Sequence, residues 1–192
     1  MNICVYCGSN PGKTSRYSES VTHLAQTLSS AGHDLIYGGG RLGLMRVIAD
    51  EMLAAGRHVT GVMPKGLFQS ELVHQGLSEL IEVSSMPERK AEMIRLSDAF
   101  IALPGGFGTL EEISEVLSYA QLGLHQKPIA FFNINGFYDP LIAWVKQAIQ
   151  EGFIPAGQEG LFINTDSPLE LVEQLAYYRQ PEKVNKWQEL EA

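Results

Sequence analysis

The chain has 192 residues and a formal net charge of −8 with neutral histidines. This length predicts one domain that buries about 70% of the surface its unfolded chain exposes. With 45% hydrophobic residues and 19 glycines, the composition excludes a disordered chain and a collagen-like repeat. The acidic balance argues against a protein that binds long nucleic acids through its overall field, because such binding needs a basic face.

The strands and helices are predicted from short apolar runs that alternate with helical patterns. Strands are predicted at residues 3–7, 34–37, 59–62, 80–83, 99–103, 129–133 and 161–163. Between them, apolar residues recur at helical spacing, as in Val21, Leu24, Ala25 and Leu28; Val47, Ile48, Met52 and Leu53; and Ile113, Val116, Leu117 and Ala120. Further helices are predicted at residues 140–150 and 168–178. This alternation predicts an α/β fold, in which helices cover both faces of a mostly parallel sheet of about seven strands.

The sequence also predicts the location of the protein and the bounds of its domain. The first ten residues, MNICVYCGSN, have no basic stretch before their short apolar run, which argues against a signal peptide. No apolar run approaches the roughly 20 residues of a membrane-spanning helix, so we expect a cytoplasmic protein that binds no membrane and no nucleic acid. One domain is expected over residues 1–180, and a polar tail over residues 181–192.

The only two cysteines, Cys4 and Cys7, lie within the first predicted strand. Residues three apart on a strand face opposite sides of the sheet, which separates the two thiols. A redox pair or half of a zinc site is the alternative, but the chain has no second pair of cysteines. Buried core thiols are therefore favoured.

Three predicted strands are followed by glycine-rich turns. They read GSNPGKT after Cys7, GGGRLG after Tyr37 and PGGFGT after Leu103. Ligands of open parallel sheets bind beyond the carboxyl ends of the strands, where glycine amides and helix N-termini favour anions. The turns thus predict a phosphate pocket built from several loops, although each turn could also need glycine for its geometry alone.

Two familiar nucleotide motifs do not fit these turns. Gly38, Gly40 and Gly43 match GxGxxG, but no acidic residue ends the next strand, which argues against an NAD site. GSNPGKT has three residues between its glycines where a Walker A loop has four. The five histidines lack metal-ligand spacing, and no HExxH or GxSxG motif occurs. No metal and no cofactor are predicted.

The stretch from Met86 to Glu112 carries the candidate chemistry. Arg89 shares a helical face with Met93 and Leu96; the alternative is an arginine that reaches solvent or pairs with Glu92. Thr109 and Glu112 have the spacing of a capping box. Glu112 nevertheless lies roughly 40° around the helix from Val116 and borders the buried face. A carboxylate, an arginine and an anion-binding loop would then meet in one crevice.

The ordered motifs resemble those of the LONELY GUY (LOG) family of cytokinin-activating phosphoribohydrolases, long mislabelled as lysine decarboxylases. They are RK at Arg89 and Lys90 with PGGFGTLEE after it, preceded by CVYCGSNPG and YGGGRLGLM and followed by YAQLGLHQKPI. The resemblance implies a Rossmann-like, doubly wound fold and a homodimer with sites near the interface. It also implies hydrolysis of a nucleoside 5′-monophosphate to free base and ribose 5-phosphate, without a cofactor.

The same resemblance implies roles for particular residues. The family's catalytic arginine and glutamate fall on Arg89 and Glu112. Its nucleotide contacts fall on Glu71, Lys90, Gly105, Gly106, Phe107, Gly108, Thr109, Leu110, Glu111 and Ser118. Its other pocket loops contain Gly8, Ser9, Gly39, Gly40 and Met45.

Two departures from the family pattern leave the preferred base open. Pro87 stands where the family usually has histidine, and Arg46 stands where it tends to have glycine. Proline is tolerated in a first helical turn, so the helix that carries Arg89 should still form. A non-catalytic nucleotide carrier or sensor is the alternative function, since a fold does not determine an activity. A decarboxylase would need a Schiff-base lysine in a cofactor-binding context, which the sequence lacks.

Overall fold

The computed structural model describes residues 1–66 and 72–181. Its strands are β1 Asn2–Tyr6, β2 Asp34–Tyr37, β3 Val59–Pro64, β4 Glu79–Val83, β5 Ala99–Ala102, β6 Ile129–Phe132 and β7 Ile163–Thr165. Its α-helices are α1 Ser15–Ser30, α2 Gly43–Ala54, α3 Met86–Leu96, α4 Phe107–Leu122, α5 Asp139–Gln150 and α6 Pro168–Tyr177. Two short 3₁₀ helices, Ile134–Gly136 and Gln158–Leu161, complete the described elements.

The seven strands form one sheet in the order β4-β3-β2-β1-β5-β6-β7. Every pairing between neighbouring strands is parallel. The predicted Rossmann-like, doubly wound α/β fold is confirmed, and the sheet is parallel throughout. The chain runs outward from β1 to β4 and then returns to β5 on the other side of β1. A crevice at the carboxyl ends of β1 and β5 is where such a sheet binds ligands.

Apolar side chains on both faces of the strands build two core clusters. One contains Val5, Tyr37 and Ile101 with buried residues of α1, α2 and α6. The other contains Tyr6 and Phe100 with buried residues of α3 and α4. Strands that are buried on both faces read as continuous apolar runs, which is why they could be located from the sequence.

Cys4 and Cys7 are free thiols that belong to opposite core clusters. Burial raises the pKa of the Cys4 thiol to about 12 and also raises the pKa of Cys7. Both side chains therefore stay protonated and act as small apolar residues. The prediction of core cysteines is confirmed.

Most predicted helices are confirmed, and one strand is displaced. Val21, Leu24, Ala25 and Leu28 are all buried on α1. Pro87 lies in the first turn of α3, where the side chain of Ser85 accepts a hydrogen bond from the Glu88 amide at 3.3 Å. The strand predicted at residues 161–163 is wrong by two residues, because Leu161 ends a 3₁₀ helix and β7 begins at Ile163. A short apolar run does not distinguish a buried turn from a strand.

Among the described residues, no helix combines the length and the apolar character needed to cross a bilayer. The single sheet joins elements from Asn2 to Thr165. Residues 182–192, most of the expected tail, lie outside the described residues. The division of the chain at residue 180 therefore stays a prediction.

Candidate active site

A cleft of about 750 Å³ opens at the carboxyl ends of β1 and β5. Its walls come from residues 7–14 after β1, residues 104–109 after β5 and the start of α2. The loops after β1 and β5 touch directly, because the Gly8 amide donates to the Pro104 carbonyl at 3.1 Å. A Cβ at Gly105 would collide with the Thr109 side chain and lie 3.0 Å from the Gly8 nitrogen. Gly105 is therefore required by the close approach of these two loops.

Helix α4 begins in this cleft without a side-chain cap. Gly106 is the N-cap residue, and no side chain accepts a hydrogen bond from the first amides. The capping box between Thr109 and Glu112, the alternative role of Glu112, does not form, because the helix begins at Phe107 and Thr109 lies inside it. The start of a helix leaves amides without intrahelical partners and favours an anion.

Arg89 and Glu112 form a buried ion pair beside the start of α4. Nη1 of Arg89 lies 2.6 Å from Oε1 of Glu112, and the two side chains are only 10% and 11% exposed. Nε of Arg89 donates to the Val62 carbonyl at the end of β3, at 2.9 Å. The alternative partner, Glu92, binds Arg95 instead, at 2.6 Å. Arg89 is thus directed into the cleft rather than to solvent.

Two opposing effects act on the pKa of the Glu112 carboxyl group. Burial raises the pKa of Glu112 above its ordinary range, and the charge and hydrogen bond of Arg89 oppose that rise. Removing or displacing the guanidinium would therefore raise the pKa of Glu112 further. A buried carboxylate with a raised pKa is a candidate for proton transfer or for the stabilisation of a developing cation.

Lys90 makes a second link between α3 and α4. Its Nζ pairs with Glu111 and lies 2.9 Å from Oε2 of Glu115. Glu115 in turn accepts a hydrogen bond from the Tyr119 hydroxyl at 3.0 Å. These carboxylates raise the pKa of Lys90, with Glu111 the larger cause. Lys90 and Glu111 support the helix pair from outside the cleft and do not line its wall.

The structure brings most of the expected site residues together. Those that line the cleft are Gly8, Ser9, Met45, Arg89, Gly105, Gly106, Phe107, Gly108, Thr109 and Glu112. Gly39 and Gly40 lie in the loop after β2, where a Cβ on Gly40 would come 2.9 Å from the Met45 methyl. Leu110 follows on α4 and is 42% exposed. Ser118 lines a separate cavity of about 250 Å³ between α4 and α5. Glu71 lies outside the described residues.

Four further residues line the cleft and were not predicted from the sequence as site residues. They are Lys13, Tyr17, Asn135 and Phe137. Nη1 of Arg16 donates to Oδ1 of Asn135 at 2.5 Å, and the Tyr17 and Phe137 rings meet edge to face with centroids 6.4 Å apart. Asn135 has the left-handed φ of 56°. The signals available were the lysine within GSNPGKT and the Asn-Gly pair at Asn135 and Gly136, which is typical of turns.

The combined chemistry suits a small phosphate ester. One cleft holds the open start of α4, the cations of Lys13 and Arg89, and the carboxylate of Glu112. Within the described ranges, no group of three or more His, Cys, Asp or Glu side chains is arranged to hold a metal ion. The helix start and the ion pair line the same cleft.

Known proteins resemble this chain over most of its length. A family model described as "Possible lysine decarboxylase" matches residues 45–175. The cytokinin riboside 5′-monophosphate phosphoribohydrolase LOG of Oryza sativa subsp. japonica is 47% identical over 176 residues, which are 92% of this chain and 73% of the rice protein. The enzyme LOG5 of Arabidopsis thaliana, which bears the same description, is 45% identical over 177 residues, 92% of this chain and 78% of that protein.

Solved structures share the fold at lower identity. The molybdenum cofactor binding protein from Rippkaea orientalis is 20% identical, with a TM-score of 0.69 over 92% of this chain and 95% of that one. Identity at this level supports the fold alone. The matched family model and the plant relatives, together with the Arg89–Glu112 pair beside PGGFGT, carry the assignment. The chain belongs to the LOG family.

Proposed function

We propose that the chain hydrolyses the N-glycosidic bond of a nucleoside 5′-monophosphate, AMP or a cytokinin riboside 5′-monophosphate or both. The products are the free base and ribose 5-phosphate. The observation that carries this proposal is the buried Arg89–Glu112 pair in the cleft where α4 begins. Relatives 45–47% identical that are named for the same reaction support it.

The 5′-phosphate binds at the start of α4. Gly106 and Gly108 have no heavy atom within 4 Å of the position that a Cβ would take, so the backbone there faces open space. Amides at a helix start and the helix dipole together favour a phosphate. Lys13 on the neighbouring loop adds a positive charge to the same cleft. Selection for a monophosphate over a free nucleoside follows from these contacts.

Cleavage of the glycosidic bond builds positive charge on the ribose, as in the hydrolysis of glycosides. The Glu112 carboxylate stabilises this charge and orients the water that attacks the anomeric carbon. The base departs with the bonding electrons and takes up a proton. The water oxygen forms the new bond to that carbon and loses a proton, so atoms and charge balance without an external reactant.

Arg89 holds Glu112 in place and donates hydrogen bonds to the substrate. Its Nε and Nη1 are occupied by Val62 and Glu112, and the planar group has further donors. Those donors bind a ribose hydroxyl or a phosphate oxygen when the nucleotide enters. A bidentate arginine fixes direction as well as charge, which a lysine at this position would not do.

The two departures from the family pattern lie outside the reacting centre. Arg46 pairs with Asp50 at 3.0 Å on the exposed side of α2, where its side chain is 67% exposed. Pro87 is exposed in the first turn of α3. Neither residue lines the cleft among the described residues. The reaction is therefore expected to persist, with any change confined to the choice of base.

The test measures the release of free base from the nucleotide. Purified protein is incubated with a panel of nucleoside 5′-monophosphates that includes AMP and an N6-isopentenyl analogue, and the products are separated by chromatography. We expect free base and ribose 5-phosphate in equal amounts, and little release from the same nucleosides without phosphate. Binding of a nucleotide without any release would favour a carrier and overturn the proposal.

We also propose a homodimer in the cytoplasm. Support for the dimer comes from large exposed apolar side chains on or near α4 and α5, namely Leu110, Leu122, Leu124, Trp144 and Phe153. Where such groups form a contiguous patch, they mark a surface that associates. The free thiols Cys4 and Cys7 fit a reducing compartment. A mass measured by light scattering at about twice the chain's 21.1 kDa would support the dimer, and a mass of one chain would contradict it.

A further inference from the structure

Gly38 lies directly against the Arg89 guanidinium. It follows Tyr37, the last residue of β2. A Cβ added at Gly38 would overlap Nη2 of Arg89 and lie 3.4 Å from its Cζ. The next nearest atom is the Met45 sulfur, at an ordinary contact distance of 3.5 Å. A side chain at this position would therefore meet Arg89 before anything else.

A left-handed φ is not the reason for glycine at this position. Gly39, the next residue, has the left-handed φ of 76°, whereas Gly38 is not among the residues with positive φ. A left-handed backbone therefore does not exclude alanine at position 38. The nearest obstacle to a side chain at position 38 is thus the neighbouring guanidinium.

Arg89 has little freedom to move away from an added side chain. Its Nε donates to the Val62 carbonyl at 2.9 Å, and its Nη1 contacts Glu112 at 2.6 Å. The guanidinium is planar and rigid, so a shift of Nη2 disturbs at least one of these two contacts. Only about a tenth of the side chain is exposed, so most of its surface is already in contact with protein atoms.

We propose that Gly38 is a positioning residue that holds the Arg89 guanidinium against Glu112 by leaving the space beside Nη2 free. The proposal rests on the proposed function in one respect, because it takes the Arg89–Glu112 pair as the reacting pair. Gly38 itself forms no bond to the substrate and acts through Arg89.

The first experiment measures the activity of Gly38→Ala. Because a misplacement of about 1 Å can cost roughly 10²-fold in rate, we expect kcat to fall by between ten- and a hundredfold, with a smaller change in KM. The acidic limb of the pH–rate profile should move to higher pH, since Glu112 loses part of the cation that opposes protonation. A general loss of packing would lower activity without moving that limb.

The shift of the acidic limb depends on every charged or titratable group that faces Glu112. These are Arg89 and Lys90 from α3, Glu111 from α4, and the thiols and phenol of Cys4, Cys7 and Tyr6 from β1. Burial raises the pKa values of the three β1 groups, so they stay neutral across the acidic range. Only the Arg89 contact is altered by a methyl group at position 38.

Gly160→Ala is the matched control. Like Gly38, Gly160 does not have a positive φ. A Cβ added at Gly160 would lie 3.3 Å from the Pro181 side chain. Gly160 belongs to the 3₁₀ helix Gln158–Leu161, which does not line the cleft. We expect this variant to keep both kcat and the position of the acidic limb. An equal shift of the limb in Gly160→Ala would overturn the assignment to Arg89.

The second experiment uses unfolding and does not depend on activity. Gly38→Ala is made in the wild-type chain and in Arg89→Lys, which keeps a charge for Glu112 but has no Nη2 atom. We expect Gly38→Ala to lower the unfolding midpoint of the wild-type chain and to leave that of Arg89→Lys unchanged or raised. Arg89→Ala serves as a second background in the same comparison.

The outcomes separate the two proposals. If the wild-type protein releases no base from any nucleotide, the proposed function fails, whereas the unfolding comparison still measures the coupling of Gly38 to Arg89. If Gly38→Ala lowers the midpoint equally in all three backgrounds, or leaves the kinetics of the wild-type chain unchanged, the positioning role of Gly38 is overturned.

Discussion

At the scale of single residues, the site depends on an ion pair between distant parts of the chain. Arg89 and Glu112 are 23 positions apart and meet because α3 and α4 pack on the same face of the sheet. Removing one partner of a buried pair leaves an uncompensated charge and costs about 3–5 kcal/mol. A substitution that separates catalysis from folding must therefore keep the hydrogen bond.

Glu112→Gln meets that condition. The glutamine side chain still accepts the hydrogen bond from Arg89 but no longer balances its charge, so we expect a folded protein with an unfolding midpoint below that of the wild type. Because the carboxylate is lost, the rate of base release should fall by on the order of 10² to 10⁴, and the acidic limb of the pH–rate profile should disappear. Steady-state kinetics over a pH series would measure both effects.

Glu92→Gln is the control for that substitution. Glu92 is also an arginine-bound carboxylate, paired with Arg95 on α3 at 2.6 Å, but it does not line the described cleft. We expect its loss to leave the kinetics unchanged. If Glu112→Gln retained the wild-type rate while binding nucleotide, Glu112 would be a structural residue only.

At the scale of elements, the helices and strands could be predicted because apolar spacing follows burial. The start of α4 could not, since Thr109 and Glu112 have capping-box spacing and local pattern alone favours that cap. In the structure the Glu112 side chain binds Arg89 instead of the amide of Thr109. A contact between residues 23 positions apart leaves no pattern in the local sequence. Lys13 and Asn135 were missed for the same reason, because only the order of β1, β5 and β6 brings their loops together.

The first turn of α4 yields a prediction about the phosphate. Gly108 has helical backbone, and a methyl group there would meet nothing within 4 Å in the protein. Gly108→Ala should therefore fold at least as well as the wild type, since alanine favours a helix more than glycine does. The methyl group would occupy space at the helix start where the phosphate binds. We expect KM for AMP to rise by roughly tenfold or more, a loss of about 1.4 kcal/mol of binding.

Gly105→Ala gives the opposite pattern and serves as the comparison. Its methyl group would collide with Thr109 and press on Gly8, so the unfolding midpoint should fall together with activity. Thermal unfolding followed by circular dichroism, with kinetics on the same samples, distinguishes the two variants. An unchanged KM in Gly108→Ala would place the phosphate elsewhere in the cleft.

At the scale of the whole molecule, the site is a local exception to the overall charge. The chain carries a net charge of −8, yet the cleft contains Lys13, Arg89 and the start of α4. Several carboxylates of the described surface are held in ion pairs, including Asp50, Glu92 and Glu111. A small phosphate ester can therefore bind to an acidic protein through contacts of short range, which the summed charge of the sequence does not reveal.

The stability of the fold is expected to fall at mildly acidic pH because of two partly buried histidines. Burial lowers the pKa of His125, which lies between α4 and β6, and the pKa of His33, which precedes β2. Below the ordinary histidine value of about 6.5, the unfolded chain binds protons that the folded chain resists. Stability therefore rises with pH through this window and falls as the pH is lowered from 7 toward the folded-state values.

His125 permits a test of this prediction. Its Nε2 contacts the Val116 carbonyl at 3.0 Å, its Nδ1 accepts from the Lys127 amide at 3.2 Å, and its ring packs on Phe100. The two hydrogen bonds form together only in a neutral imidazole with its proton on Nε2, because protonation of Nδ1 removes the acceptor for the Lys127 amide. His125→Gln keeps an amide donor and a carbonyl acceptor without titrating, so the unfolding midpoint should depend less steeply on pH between 7 and 5 than in the wild type. His23→Gln, on the exposed face of α1, is the control and should keep the wild-type dependence of the midpoint on pH. If the midpoint of His125→Gln depended on pH as steeply as that of the wild type, other groups, such as His33, would govern the acid sensitivity.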